Sequence, residues 1–373
     1  MQPQRYRKNV VVVGGGFAGG SAVIALQDKF NVTLLDKKPY FENITAQYRV
    51  LCDKDMGERN RMPHEEYAPS VDVQVGGLRS IERTHVVTED NRCIPYDYLI
   101  VATGSHYKNL PVIGGDNKTA PVPVISLTDG EACRKEQERL STTTGGNLVV
   151  VGGGAAGVEV AAELAETYKD KTVHFVFSSD APLAGMPEAA RAVAAKHFSK
   201  LPNIRMWPGE RVVGISGEDG AVITRSGKSL TDVSSVFLCV GFAPNTSFAK
   251  ESSEDFVNER GYFKVTQTLQ STEQENVFAI GDVTDVQENK LAQNAFRHAS
   301  VVAQNIEALE TGRALRPYNP QERRLCIMLG RSNAVVVGPT GVDSGWVAAR
   351  RKQGFALSAR MLPASARMFA SRM

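Results

Sequence analysis

Short runs of branched apolar residues alternate along the chain with longer segments whose apolar positions recur at helical spacing. The apolar runs predict buried strands at 9–13, 31–36, 96–105, 172–179 and 276–285, hairpin-like strands across 204–239 and a terminal pair in "RRLCIMLG" and "NAVVVGP". The helical spacing predicts helices at 19–29, 128–140, 187–200 and 289–310. Strands that alternate with helices in this way indicate an α/β fold with parallel sheets.

A glycine-rich phrase occurs twice, 138 residues apart, each time between a predicted strand and a predicted helix. The first copy, "VVVVGGGFAGGSAVIAL" from residue 10, places Gly14, Gly16 and Gly19 in a G-x-G-x-x-G pattern. These glycines permit a tight turn, backbone approach to a pyrophosphate and close helix–strand packing. Asp36 ends the next strand, where a carboxylate can accept both hydroxyls of an adenosine ribose. We therefore predict a dinucleotide site; the alternative is a turn needed only for packing.

The second copy, "LVVVGGGAAGVEVAAELAE" from residue 148, offers Gly152, Gly154 and Gly157, followed by Glu159. Its next strand ends in Ser178 and Ser179, where a site specific for NAD usually carries an acid. A serine pair does not repel a 2′-phosphate, and the sequence places no arginine beside it to attract one. The reductant is therefore predicted to be NADH or NADPH, with neighbouring Asp180 either a ribose ligand or a turn residue.

Composition narrows the function classes. The chain has 373 residues, 42% of them hydrophobic and 23% charged, which excludes a disordered protein. A net charge of +2 gives no support to nucleic-acid binding. We see no secretory signal or transmembrane span, because glycines interrupt the apolar run at 9–27, and Gln2 excludes N-myristoylation.

The cysteines and histidines lack the spacing of a metal site or of a dithiol relay. Five dispersed cysteines without a CxxC or CxxxxC pair indicate reduced thiols, and no metal is expected. Cys52 alone could point to a persulfide or coenzyme-A-disulfide reductase, although its neighbours "YRVLCDKD" lack that pattern. The six histidines, His64 among them, are interpreted as structural.

Further motifs add a family resemblance. "STEQENVFAIGD" at 271–282 and "VATGS" at 101–105 resemble the second FAD signature and the connector of flavoproteins with two dinucleotide-binding domains. Together with "DKKPYFENITAQYR" and "VFLCVGFAPN", they are similar to the apoptosis-inducing-factor-homologous, ferroptosis-suppressor-like NAD(P)H:quinone oxidoreductases, which are related to type II NADH dehydrogenases. This resemblance implies a peripheral membrane flavoenzyme that reduces ubiquinone- or vitamin-K-type quinones to radical-trapping hydroquinones.

The resemblance also implies the domain organisation. We expect two Rossmann-like domains of the pyridine nucleotide-disulfide reductase type and a small C-terminal α+β domain. The FAD-binding domain should be discontinuous, at 1–108 and 243–315, and the NAD(P)H-binding domain should occupy 109–242. The C-terminal domain would cover 316–373, and a homodimer is compatible with this organisation.

Site residues follow position by position from the same resemblance. The expected FAD-binding residues are Gly14, Gly15, Gly16, Phe17, Ala18, Gly19, Asp36, Arg49, Leu78, Thr103, Gly104, Asp282 and Lys290. The expected NAD(P)H-binding residues are Gly152, Gly154, Gly157, Glu159, Ser178 and Gly241. Asp282 matches the aspartate that binds the ribityl chain, and Lys290 is expected to begin the helix facing the flavin. Glu159 is the candidate catalytic residue beside the reacting rings, or else an acid that stabilises the first helical turn. Glu163, one turn further, is predicted to be a solvated helix residue.

The C-terminal tail is basic and amphipathic. No acidic residue follows Asp343. The tail cations are Arg350, Arg351, Lys352, Arg360, Arg367 and Arg372, and the helically spaced apolar residues are Leu362, Ala366, Phe369 and Met373. Such a segment either lies on an anionic bilayer or packs on the C-terminal domain. The first alternative predicts a cytoplasmic protein at a membrane that the sequence does not identify, a mitochondrial one included.

Two other functions stay open at this point. One is a flavin reductase whose acceptor is a protein such as a ferredoxin or rubredoxin. The other is a redox sensor like apoptosis-inducing factor, in which NADH chiefly changes the conformation.

Overall fold

The computed structural model describes residues 7–115, 119–322, 324–356 and 358–371. Its strands are β1 (Asn9–Val13), β2 (Asn31–Asp36), β3 (Tyr40–Glu42), β4 (Arg61–Pro63), β5 (Asp72–Val75), β6 (Leu78–Ile81), β7 (His85–Thr88), β8 (Cys93–Pro95), β9 (Tyr98–Val101), β10 (Ser105–Tyr107), β11 (Val112–Ile113), β12 (Val124–Ser126), β13 (Asn147–Val151), β14 (Thr172–Val176), β15 (Ile204–Trp207), β16 (Val212–Ser216), β17 (Val222–Thr224), β18 (Ser229–Leu230), β19 (Val233–Leu238), β20 (Phe242–Pro244), β21 (Val277–Ala279), β22 (Leu325–Leu329), β23 (Asn333–Gly338) and β24 (Gly341–Ser344). Its α-helices are α1 (Phe17–Leu26), α2 (Gln47–Val50), α3 (Met56–Arg59), α4 (His64–Tyr67), α5 (Gly130–Thr142), α6 (Ala155–Thr167), α7 (Glu188–Phe198), α8 (Ala292–Glu310), α9 (Trp346–Ala356) and α10 (Met361–Ser371).

The first sheet is parallel and has the strand order β21–β9–β1–β2–β5. Successive side chains of β1 point to opposite faces, and both faces are covered, which explains its uninterrupted valines. Val10 and Val12 pack in one core with α1, α8 and α10, whereas Val11 and Val13 pack in another with β6 and β7. Because β21 pairs with β9, residues far apart in the chain complete one sheet.

The second parallel sheet has the order β12–β19–β13–β14–β15, and its core includes α6 and α7. A third, antiparallel sheet, β22–β23–β24, packs with α9 and lies against α6. This arrangement confirms the predicted α/β class with parallel sheets and a small α+β portion near the C-terminus. The predicted domain boundaries remain predictions.

The tail helix α10 has its apolar face inside the protein. It packs on α1 and α8 of the first sheet, not on the third sheet. Leu362 is fully buried, and the ring of Phe369 stacks on that of Phe296 with centroids 5.5 Å apart. Neither alternative for this stripe holds as stated: residues 361–369 pack inside the protein, but on α1 and α8 and not on the C-terminal domain. Arg372 and Met373 lie outside the described residues.

Within the described residues, no helix combines the length and apolar content needed to cross a bilayer. The same part of the chain contains no group of three His, Cys, Asp or Glu side chains placed to hold a metal ion.

Candidate active site

A cavity of about 770 Å³ lies between the two parallel sheets and the third sheet. We call it the central cavity. It is lined by the β1–α1 loop, the segment after β9, the start of α6, the end of β19 and residues of β22 and α9. The carboxyl ends of parallel strands, where α/β proteins usually bind ligands, thus meet at one cavity.

The first glycine loop has the geometry that its sequence predicts. Gly14 has a φ of +99°, and a Cβ there would lie 2.4 Å from the Ala102 carbonyl oxygen. A Cβ on Gly19 would lie 1.8 Å from the Gly14 carbonyl oxygen, so α1 can approach β1 only without a side chain there. Gly16, the N-cap of α1, has open space where its Cβ would be. The loop therefore leaves room for a phosphate group at the N-terminus of α1.

Asp36 lies at the end of β2 beside this loop. Its Oδ2 accepts a hydrogen bond from the Gly15 N–H at 2.8 Å and lies 3.1 Å from His64 Nε2. The other His64 nitrogen, Nδ1, is 2.7 Å from the Tyr67 hydroxyl. His64 is therefore linked to the loop through Asp36, a contact that its sequence context does not predict. The Asp36 side chain remains 18% exposed, so a ribose can still reach it.

Asp282, which follows β21, also lines the central cavity. Its Oδ2 accepts a hydrogen bond of 2.9 Å from Ser105 Oγ, and burial raises the pKa of the Asp282 carboxyl. Lys290 donates to the Thr284 carbonyl at 2.8 Å, and burial lowers the pKa of its ammonium. The lysine precedes α8, which begins at Ala292 and not at Lys290 as predicted.

Most of the expected FAD-binding residues meet at the central cavity. Those that line it are Gly14, Gly15, Gly16, Phe17, Ala18, Asp36, Leu78, Thr103, Gly104, Asp282 and Lys290. Gly19 lies behind the loop as a packing residue. The open space at Gly16, the helix N-terminus and the half-buried Asp282 carboxyl group together fit an elongated dinucleotide such as FAD.

Arg49 does not line the central cavity. Its Nη1 forms a buried ion pair of 2.8 Å with Glu163 Oε1 on α6. Glu163 is fully buried, so the prediction that it is solvated is wrong: α2 packs over this face of α6. Burial raises the pKa of Glu163 to about 7, although the neighbouring guanidinium of Arg49 acts to lower it.

The second glycine loop repeats the geometry of the first. Gly152 has a φ of +118°, and a Cβ on Gly157 would lie 1.7 Å from the Gly152 carbonyl oxygen. Gly154 is the N-cap of α6, lines the central cavity and has open space beside it. Ser178 and Gly241 are exposed and lie outside the cavity lining. The second loop thus begins at the cavity, while its further expected contacts lie at the surface.

The surface near Ser178 carries a charge pair that the sequence did not predict. Arg191 on α7 donates from Nη2 to Asp180 Oδ1 at 3.0 Å. The helix α7 thus brings an arginine to Asp180, the residue that follows the serine pair in the chain.

Glu159 lies near the N-terminus of α6. Its Oε1 accepts hydrogen bonds from the Met328 N–H at 2.9 Å and from Lys352 Nζ at 2.5 Å. Lys352 also donates to the Cys326 carbonyl at 2.8 Å, and both Glu159 and Lys352 line the cavity. Sequence reasoning placed Lys352 among the tail cations; no local signal connects it to a residue 193 positions earlier.

Two cysteines, Cys239 and Cys326, also line the central cavity. Burial raises the pKa of both thiols, so they remain protonated and are poor nucleophiles. Cys52 is buried outside the cavity, and the pKa of its thiol is likewise raised by burial. These environments give no support to a thiolate relay.

Residues 8–299 match the family model described as pyridine nucleotide-disulphide oxidoreductase. The chain belongs to this family. It is therefore an enzyme, an FAD-dependent pyridine nucleotide oxidoreductase, and the predicted fold class is confirmed.

Curated relatives narrow the branch to which this oxidoreductase belongs. It is 31% identical over 340 residues to ferroptosis suppressor protein 1 of Taeniopygia guttata, with 87% of each chain covered. It is 25% identical to apoptosis-inducing factor homolog B of Dictyostelium discoideum, with 83% of each chain covered. The predicted resemblance to this branch is confirmed.

Solved structures agree on the fold of the oxidoreductase. The sulfide:quinone oxidoreductase of Aquifex aeolicus superimposes with a TM-score of 0.76 at 19% identity, covering 94% of this chain and 90% of the other. NDH2 of Plasmodium falciparum in complex with NADH gives a TM-score of 0.78 at 15% identity and 98% coverage of both chains. At these identities the likeness concerns the fold alone.

Proposed function

We propose that the oxidoreductase transfers reducing equivalents from NAD(P)H to a quinone, with FAD as the resident cofactor. The observation that carries this proposal is one cavity that unites the first glycine loop, the start of the second and the Glu159–Lys352 pair. One protein that shares the fold is by name a sulfide:quinone oxidoreductase, which is consistent with a quinone acceptor. FAD, when bound, supplies the capacity to accept a hydride and to donate two electrons.

The chain itself contributes binding, orientation and proton supply. The β1–α1 loop would hold the FAD pyrophosphate, Asp36 a ribose and Asp282 the chain between the phosphates and the flavin ring. The second loop would hold the pyrophosphate of NAD(P)H. The overall reaction is NAD(P)H + H⁺ + quinone → NAD(P)⁺ + hydroquinone, so each turnover takes one proton from solvent.

Lys352 is the residue that we propose to act at the quinone. Its ammonium has three N–H donors, of which two are used by Glu159 and by the Cys326 carbonyl. The remaining donor can bind a quinone oxygen and supply a proton there as negative charge develops. Glu159 holds the ammonium in place through its hydrogen bond. This assigns Glu159 a supporting role beside Lys352 in quinone protonation.

The test compares acceptors on the purified, FAD-loaded protein. We expect flavin absorbance, and we expect a short-chain ubiquinone analogue to accelerate NAD(P)H oxidation. Lys352→Met should lower the rate of quinone reduction by about a hundredfold, the usual size of a general-acid contribution. The exposed Lys200 serves as the control site, and Lys200→Met should leave the rate unchanged. A protein without flavin, or one that no quinone accelerates, would refute the proposal.

A protein acceptor is the alternative that the same experiment addresses. Reduction of a neutral quinone should depend weakly on ionic strength, whereas docking of an acidic redox partner is screened by salt. Strong quinone turnover that persists at high salt supports the proposal. Slow turnover with every acceptor would instead favour a redox sensor.

A further inference from the structure

Tyr48 presents a buried hydroxyl group at the central cavity. The residue belongs to α2, lines the cavity and is 3% exposed. Its hydroxyl oxygen is buried and has no hydrogen-bond partner among the described residues. Buried tyrosine hydroxyls usually have a partner, because an unmade hydrogen bond costs about 1–3 kcal/mol. An unpartnered hydroxyl beside a cavity therefore indicates a ligand that supplies the acceptor.

The surroundings of Tyr48 favour the donor form of the hydroxyl. Two cations lie near its ring, with Lys352 Nζ 5.5 Å from the centroid and the Arg49 guanidinium carbon 5.9 Å from it, and the charge of Arg49 acts to lower the pKa of the hydroxyl. Burial, with the negative charge of Glu159 as the next cause, raises the pKa of Tyr48 well above its usual value. The phenol thus keeps its proton and can donate a hydrogen bond throughout the physiological pH range.

Tyr48 and its neighbours at the cavity belong to other elements than the first glycine loop. Tyr48, Glu159, Cys326 and Lys352 come from α2, α6, β22 and α9, and none of these elements carries the first glycine loop. This part of the cavity lining offers two donors, the Tyr48 hydroxyl and the remaining Lys352 N–H. A quinone carries carbonyl oxygens that accept such bonds.

We propose that Tyr48 donates a hydrogen bond to a carbonyl oxygen of the quinone and so helps to select acceptors that carry one. This inference rests on the proposed function, because it names a residue that binds the proposed acceptor. Tyr48 is assigned a binding role, and it returns to the same state after each turnover with no net proton transfer.

The test uses Tyr48→Phe in the FAD-loaded full chain, which keeps the ring and removes the donor. Titration with a short-chain ubiquinone analogue, followed by flavin fluorescence, should give a dissociation constant raised about threefold to tenfold. The KM for the same quinone should rise by a similar factor. The rate of flavin reduction by NAD(P)H and the turnover of ferricyanide, which has no carbonyl oxygen, should not change.

Tyr96→Phe is the matched control. The Tyr96 hydroxyl is also part of a largely buried side chain, but it donates to the Glu82 carbonyl at 2.6 Å and lies outside the cavity. This variant should keep the quinone affinity of the wild type.

Two results would overturn the inference while leaving the proposed function intact. One is an unchanged quinone affinity in Tyr48→Phe when the wild type binds and reduces quinone. The other is a shifted flavin spectrum or altered ferricyanide turnover, which would assign the hydroxyl to the cofactor. A wild type that neither binds nor reduces quinone would overturn the proposed function as well.

Discussion

Two glycines at the start of α6 offer a test that separates cofactor binding from folding. Gly154 and Gly157 are three residues apart, yet a methyl group meets different surroundings at each. On Gly154 the Cβ would have no protein atom within 4 Å, and the φ of −76° is one that alanine adopts. On Gly157 the Cβ would lie 1.7 Å from the Gly152 carbonyl oxygen, a backbone atom.

The stability effects follow from these contacts. In Gly154→Ala the lower entropy of the unfolded chain favours folding by about 0.4–1 kcal/mol, and the loss of a good N-cap residue costs a similar amount. The free energy of unfolding should therefore stay within about 1 kcal/mol of the wild type. Gly157→Ala forces the helix away from the strand and should cost about 3 kcal/mol, the upper end of overpacking costs.

The affinity for NAD(P)H should respond differently from the stability, because Gly154→Ala should weaken binding while it leaves the free energy of unfolding nearly unchanged. If the second loop binds the pyrophosphate of NAD(P)H, the methyl group of Gly154→Ala occupies space that the phosphate needs. Loss of one charge-assisted hydrogen bond, about 1.5–3 kcal/mol, corresponds to a dissociation constant for NAD(P)H raised roughly 10- to 100-fold. FAD content should not change, because the first loop is untouched.

The assay combines thermal unfolding with stopped-flow reduction of the bound flavin at varied NAD(P)H concentration. Gly154→Ala should melt like the wild type but saturate only at much higher NAD(P)H. Wild-type affinity for NAD(P)H in this variant would refute the assignment of the second loop.

Three other changes probe separate features. Burial raises the pKa of Glu163 from 4.5 to about 7, so ionisation of this carboxyl group destabilises the fold. The wild type should therefore lose up to about 3 kcal/mol of stability as the pH rises from 4.5 through 7. Glu163→Gln should lack this loss when urea unfolding is compared at pH 5 and pH 8. Asp180→Ala removes one of the two carboxylates that pair with the Arg191 guanidinium, the other being Glu188 at 3.6 Å, and should raise the ratio of NADPH to NADH efficiency about threefold to tenfold in steady-state kinetics. Leu362→Ala removes a fully buried side chain of α10 and should cost about 2–5 kcal/mol in urea unfolding.

Each of these predictions has an outcome that contradicts it. The same fall in stability with pH in Glu163→Gln would assign that fall to other groups. An unchanged nucleotide preference in Asp180→Ala would place the bound ribose away from Arg191. Alanine at the exposed Arg367 is the control for Leu362→Ala, and equal stability of the two variants would mean that α10 is not packed as described.

Local sterics explain why the sequence alone predicted the two loops. The conformations of Gly14 and Gly152 depend on neighbours within one strand–turn–helix unit, so the glycine pattern contains the required information. The same holds for Asp36, which directly ends the adjacent strand.

Long-range pairing explains what the sequence did not predict. Glu163 follows Glu159 at helical spacing and reads as a polar face, but its partner Arg49 lies far back in the chain. In the sequence Lys352 resembles the other tail cations, but in the structure the third sheet places α9 at the cavity, where Lys352 meets Glu159. His64 reaches Asp36 through a short helix in a region without clear periodicity. Such contacts depend on the packing of whole elements, which no local pattern records.

The packing of α10 on α1 also bears on the synthesis of the protein. The first sheet lacks β21 until Ala279 has been made, and α1 lacks the part of its cover that α10 supplies until residues 361–371 follow. Because chains emerge from the ribosome N-terminus first, the glycine loop that is made earliest is among the last to be fully enclosed. Stable FAD retention should accordingly be a late event, completed only after the second parallel sheet has already had time to fold.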